Sequence, residues 1–195
     1  MSDLSPEAFF EIELKSVIDK DKYDQINQLL NQDEKFKKFN AESITTDFFK
    51  ADNDKTDVRL RESDTTTEIV CKEGLVTKIC RQEIRIPLAS KEQLEHFRKI
   101  FLTMPLDRQP KTLKHKQEFT YTFKDYEYII CLQHIENFAY LVEVEFLAEQ
   151  DDSTLHEPNL MAILDELGLK LIDGPKFLKR VEDYKAGKAT INYPI

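Results

Sequence analysis

The feature that most constrains this chain is a set of segments that alternate between apolar residues and fully charged ones. Phe9-Phe10-Glu11-Ile12-Glu13-Leu14-Lys15 is the first of them. Alternation with period two marks a strand, because successive side chains point to opposite faces. An ordinary half-buried strand puts assorted polar residues on its second face. Here the second faces carry charge almost throughout: Glu11, Glu13 and Lys15, then Arg59 and Arg61, then Lys72, then Arg81, Glu83 and Arg85, then Lys114, Lys116 and Glu118, and finally Glu143 and Glu145.

Any one of these faces is ordinarily a solvated face. Together they ask for another arrangement, because the apolar faces must also be covered. Strands are expected at Phe9 to Lys15, Ile44 to Lys50, Asp57 to Glu62, Thr67 to Lys72, Val76 to Leu88, Lys111 to Phe123, Glu127 to His134 and Ala139 to Ala148. Turns are expected at Asp52-Asn53-Asp54, Ser63-Asp64, Glu73-Gly74 and Asp125-Tyr126. Helices with apolar stripes are expected at Asp19 to Asn31, after the cap Ser90 with Gln93 as its partner, at Pro158 to Gly168, and from Gly174-Pro175 to Lys185. The polar stretch Asp33 to Phe39 is expected to be a short helix or loop. Helices can cover one face of each strand. If the sheet then curls shut, the charged faces look at one another. The expected fold is α+β: a closed eight-stranded antiparallel β-barrel (a tunnel) with helices packed outside. The whole of residues 1–195 forms one such domain, with the barrel over about 8–148 and the C-terminal helices over about 158–187.

An interior with charges of both signs either pairs them or holds ions and a polyanion. Carboxylates at i, i+2 spacing offer hard oxygen ligands, which suit Mg²⁺ or Mn²⁺. Clustered Arg and Lys offer donors to phosphate oxygens. The two sets in one cavity describe a site for a metal-bound phosphate chain. The net charge of −9 argues against general nucleic-acid binding, which needs a basic face, but leaves room for a local basic pocket. Four glycines leave no glycine-rich phosphate loop, so side chains must hold any phosphate. Cys71, Cys80 and Cys131 form no metal-ligand spacing, and their odd number without an apolar leader suggests a reducing, cytoplasmic setting. No apolar run is long enough for a membrane span.

Glu11-Ile12-Glu13-Leu14-Lys15 resembles the E-x-E-x-K signature of the CYTH superfamily, the triphosphate tunnel metalloenzymes named for class IV adenylate cyclase and thiamine triphosphatase. Three fixed positions alone are a weak pattern. The order of the later segments adds weight: Thr46-Asp47-Phe48-Phe49, Arg59-Leu60-Arg61, Lys72, Arg81 to Arg85, Lys114-His115-Lys116 and Glu143-Val144-Glu145 each resemble the corresponding strand of that family. The resemblance implies that Glu11, Glu13, Glu143 and Glu145 are metal ligands for Mg²⁺ or Mn²⁺. It implies a triphosphate cradle of Lys15, Arg59, Arg61, Lys72, Arg81, Lys114 and Lys116, with Lys15 also in a catalytic role. Glu83 would assist a second metal or orient a basic residue, and Arg85 stands where the family often has an acidic residue. Gln133 occupies a position ten residues before the E-x-E where the family usually has Asp, and an amide is a poorer ligand for Mg²⁺.

The resemblance implies a metal-dependent phosphohydrolase of a small-molecule triphosphate: tripolyphosphate, thiamine triphosphate or a nucleoside triphosphate. A class IV-type adenylate cyclase is the alternative. A non-catalytic triphosphate binder is a second, favoured by Gln133. A monomer or homodimer with no nucleic-acid or membrane partner is expected.

Overall fold

The structure is a computed structural model that describes residues 5–50, 56–75 and 78–193. The turn expected at Asp52-Asn53-Asp54 and the strand start at Val76 lie outside these residues. Nine strands and four helices occur among them: β1 (Glu7–Ile18), α1 (Lys20–Gln32), β2 (Phe36–Lys50), β3 (Thr56–Glu62), β4 (Thr67–Glu73), β5 (Cys80–Pro87), α2 (Lys91–Thr103), β6 (Asp107–Arg108), β7 (Thr112–Phe123), β8 (Tyr126–Ile135), β9 (Ala139–Ala148), α3 (Ser153–Glu166) and α4 (Gly174–Lys185).

All the pairings are antiparallel. The sheet runs β3-β4-β5-β1-β9-β8-β7-β2, and β2 pairs again with β3, so eight strands form a ring. The two-residue β6 attaches to the end of β2. The outer faces of the strands are apolar, as alternation predicts, and the helices cover them. On β1 the outward set is Ile12, Leu14 and Ile18, which packs with Ile130, Leu132, Val142 and Val144 beneath Ile26 and Leu30 of α1 and Leu160, Ile163 and Leu164 of α3. A second cluster puts Leu94, Phe97 and Phe101 of α2 over Phe49, Leu60 and Ile69. In a third, Phe177, Val181 and Tyr184 of α4 pack on Phe138, Ala139 and Leu141.

Local chemistry sets the helix starts. Asp19 accepts from the Lys22 backbone N–H at 2.7 Å, and Asp173 accepts from that of Lys176 at 2.9 Å. Ser90 accepts from the Gln93 N–H at 3.3 Å, and the Gln93 side chain accepts from the Ala89 N–H at 2.9 Å. This is the reciprocal cap expected at that position, displaced by one residue at the backbone donor.

Two expectations need correction. The stretch Asp33 to Phe39 is neither a helix nor a plain loop, because β2 begins at Phe36 and pairs with β7 from Phe36↔Tyr121 onward. The register shifts between Lys38 and Asn40. That bulge breaks the period of two by which the strand would have been recognised. The first C-terminal helix starts at Ser153 rather than Pro158; the sequence places proline in a first turn, whereas here it lies within the helix.

Candidate functional site

The inner faces of the ring enclose a cavity of about 520 Å³. Register explains how residues distant in sequence meet there. Glu13 of β1 lies directly opposite Glu145 of β9, and Lys15 opposite Glu143. On the other side of β1, Glu11 faces Arg81 of β5, and Lys72 of β4 faces Glu83. Lys116 of β7 faces Gln133 of β8. Among the described residues, ten basic and five acidic side chains line the cavity, within a chain whose net charge is −9. The expected local basic pocket is present in an acidic protein.

The cavity lining includes Glu11, Glu13, Lys15, Arg59, Arg61, Lys72, Arg81, Arg85, Lys114, Lys116, Gln133, Glu143 and Glu145. Glu83 lies behind this surface, fully buried, and ion-pairs with Lys72, Arg61 and Arg85. It is a structural counter-charge that fixes three cations at once. Lys15 sits 2.7 Å from Glu13 and 2.9 Å from Glu143. Burial works against its charge, but those two carboxylates outweigh burial and raise its pKa, so Lys15 stays protonated. Lys15 is therefore a fixed positive charge in the cavity wall. Arg81 reaches Glu13 at 3.1 Å, and Lys72 also pairs with Glu11.

The carboxylates fall into two kinds. Burial pushes the Glu143 carboxyl up, but Lys15 and Lys114 outweigh it and hold its pKa at about 2. Glu13 is likewise held below its ordinary value, with Lys15, Lys72 and Arg81 overcoming burial. Glu145 differs. Burial, then repulsion from Glu11, Glu143 and Glu13, raises its pKa to about 8. Among the described residues it makes no hydrogen bond or ion pair. An unpartnered buried carboxylate facing two others is the arrangement that a cation would relieve. Carboxylate oxygens of Glu11, Glu13 and Glu145 lie within 4.8 Å of one another, an all-oxygen donor set that fits Mg²⁺ or Mn²⁺. Glu143 stands one step along β9, engaged by Lys15.

Lys114 is the mirror case among the bases. Among the described residues it makes no ion pair or hydrogen bond. Burial, with Arg61 adding repulsion, lowers its pKa to about 8.

Gln133 donates its side-chain N–H to Glu143. The amide therefore steadies a carboxylate that aspartate would repel. Gln133→Asp is expected to lose about 1–3 kcal/mol of stability in metal-free protein and to regain it when Mn²⁺ is added, as read from urea denaturation with and without the ion. If the amide limits turnover, the same change raises it; no gain in turnover would dismiss that limit.

Two cavity residues, Asp57 and Cys131, escaped the sequence reading. Asp57 pairs with Arg59 at 2.6 Å and with Arg81 at 3.4 Å, and its i, i+2 relation to Arg59 was a usable signal. Glu118, expected on the charged face of its strand, pairs with Lys116 at 2.8 Å. Cys131 shares the inward face of β8 with Gln133, but its apolar character disguised its position. Conversely, Asp47 faces outward. It is clamped by Arg98 of α2 at 2.8 Å and takes no part in the cavity. One end of the cavity is apolar, where Phe177, Leu178 and Tyr184 of α4 join Ile135, Phe138 and Leu141.

No protein-family model matches the sequence, and no curated protein matches it. Solved structures do. The PH1819 protein from Pyrococcus horikoshii matches with TM-score 0.69 and 16% identity, over 89% of this chain and 99% of that one. A candidate adenylate cyclase from Vibrio parahaemolyticus matches with TM-score 0.61 and 14% identity, over 87% and 98%. The Hippeastrum protein HpAC1, a candidate adenylyl cyclase with a dominant triphosphatase activity, matches with TM-score 0.58 and 12% identity, over 92% and 96%. The chain has the fold of these proteins, and it is the fold implied by the CYTH resemblance of its sequence.

Proposed function

We propose that the protein is a metal-dependent phosphohydrolase of a triphosphate substrate and a member of the CYTH group, its ring acting as a closed β-barrel tunnel. The observation that carries this reading is the polarity of the cavity: a carboxylate cluster on β1 and β9, in which Glu145 has no partner among the described residues, beside a basic lining that continues around β3, β4, β5 and β7. Arg59, Arg61, Arg81, Lys72, Lys114 and Lys116 bind and orient the phosphate chain, with bidentate contacts available to the arginines. Lys15, held protonated by Glu13 and Glu143, neutralises charge developing on phosphate oxygens. Mg²⁺ or Mn²⁺ held by Glu11, Glu13 and Glu145 supplies Lewis-acid neutralisation of the same oxygens. Such a site acts mainly by positioning and electrostatics.

The apolar end beside α4 favours an organic triphosphate over tripolyphosphate, since a wholly ionic guest gains nothing from Phe138, Leu141 or Tyr184. The test is incubation with tripolyphosphate, thiamine triphosphate and ATP, each with Mg²⁺ and with Mn²⁺. Orthophosphate release is the expected result. Cyclic AMP with pyrophosphate from ATP supports the cyclase reading, which the same lining also suits. Tight binding without turnover identifies a binder and overturns the proposal.

Lys114 gives the reaction a pH signature. The group binds phosphate as a cation, and its pKa in the free protein is about 8. Its contribution is complete well below that pH and is lost as pH rises through it. Triphosphate affinity is therefore expected to fall above pH 8, by up to about 1.5–3 kcal/mol, the worth of a charge-assisted contact. Lys114→Gln removes this limb and weakens binding at neutral pH by a similar amount, measured by calorimetric titration across pH.

A further inference from the structure

A second group of potential ligands lies on the β7-β8-β9 side of the cavity, and two of its three members, Glu118 and Cys131, are not used by the proposed reaction. Cys131 faces Glu118 across the β7–β8 pairing and Glu143 across the β8–β9 pairing. The Cys131 thiol lies 3.7 Å from a Glu118 oxygen, to which it donates. One ligand atom each from Glu118, Cys131 and Glu145 lies within 4.8 Å of the other two. All three side chains are buried, and Cys131 is only 1% exposed. A tetrahedral ion with ligands at about 2.0–2.3 Å keeps them about 3.5 Å apart, so small side-chain adjustments close the set.

An independent observation points to a ligand here. Glu145 is 6% exposed and makes no hydrogen bond or ion pair among the described residues. Except for Lys114, the other charged members of the predicted site each have a partner. A buried carboxylate without one is costly. Glu145 belongs both to this group and to the Glu11–Glu13 group, so it stands between two possible cations.

We propose that Glu118, Cys131 and Glu145 form a thiolate-containing cation site that takes a borderline divalent ion such as Zn²⁺, distinct from the all-carboxylate site on β1 and β9. A thiolate selects such ions, whereas Mg²⁺ prefers oxygen alone. Binding replaces the thiol proton by the ion; the S–H bond breaks, the sulfur keeps the electron pair as a metal bond, and the proton leaves to solvent, as does any proton held on the Glu145 carboxyl. Charge is balanced: the ion and the Lys116 ammonium, which lies 2.8 Å from Glu118, offset one thiolate and two carboxylates. Sharing Glu145 makes ions at the two sites compete for the same carboxylate.

The test uses the full chain, chelator-treated and kept reduced, titrated with Co²⁺ as a spectroscopic probe. A thiolate-to-cobalt charge-transfer band in the near ultraviolet is expected, displaced by one equivalent of Zn²⁺. Loss of a partner that merely supports a ligand weakens metal binding by about 10–100-fold, so Cys131→Ser is expected to abolish the band and weaken Zn²⁺ by about 100-fold or more. Glu118→Gln, which keeps the thiol, is expected to weaken Zn²⁺ by about tenfold or more while retaining a weaker band. Absence of the band in the wild type overturns the site. So does a band that survives Cys131→Ser, which would place it on Cys71 or Cys80, or Zn²⁺ affinity unchanged by both variants. The readout is independent of triphosphate turnover, so it stands or falls separately from the proposed activity.

Discussion

Glu13→Gln is expected to reduce metal-dependent phosphate release by about 10³-fold or more, because it removes one oxygen of the cation site and the counter-charge of two cradle cations. Neutralisation of phosphoryl oxygens by a bound metal is worth several kcal/mol, and about 4 kcal/mol corresponds to three decades of rate. Glu13 also holds Lys15 at 2.7 Å and Arg81 at 3.1 Å, so both cations are released from their fixed positions. Steady-state phosphate release at saturating Mn²⁺ measures the first effect, and Mn²⁺ binding by paramagnetic resonance separates lost metal from lost geometry. Activity within tenfold of wild type in a folded variant would remove Glu13 from the cation site.

Glu83→Ala is expected to be the most destabilising single change in the cavity wall. Glu83 is fully buried and pairs with Lys72 at 2.5 Å, with Arg85, and with Arg61 at 4.0 Å. Those cations overcome burial and hold its carboxyl well below the ordinary range. Breaking a buried ion pair from one side strands its partners, at a cost of about 3–5 kcal/mol, which corresponds to roughly 10 °C in Tm for a chain of this size. The sign with pH follows from the depressed pKa: this stability is present above the ordinary carboxylate range and is lost as pH falls through the folded-state value. Urea denaturation at neutral pH checks the magnitude. A loss below about 1 kcal/mol would mean that the interior charges are well solvated.

The inward charged faces were legible in the sequence because the i, i+2 spacing fixes the face without knowledge of register. Glu11, Glu13 and Lys15 must share a side, and so must Glu143 and Glu145. Which strand pairs with which was not legible. The closeness of Glu13 to Glu145 depends on β1 pairing with β9, at opposite ends of the ring-forming sequence. Asp57 obeys the same alternation as Arg59 and Arg61, yet at the start of a strand it resembles a turn residue. Cys131 follows the same rule, but a thiol among isoleucines and leucines reads as core. The position of α4 at the apolar end of the cavity depends on tertiary packing against Phe138, which no local pattern reports.

The ion pairs of the wall also determine how the cavity discriminates among anions. Lys15, Arg59, Arg61, Lys72, Arg81, Arg85 and Lys116 each have an internal carboxylate within 4.0 Å. An incoming anion must therefore outcompete acids already tethered at high effective concentration. A single orthophosphate can displace few of them and is poorly retained, whereas a chain of linked phosphates displaces several for one loss of translational freedom. The empty wall thus inhibits itself toward short anions, so that cleaving the chain weakens the hold on both fragments and lets the pieces leave.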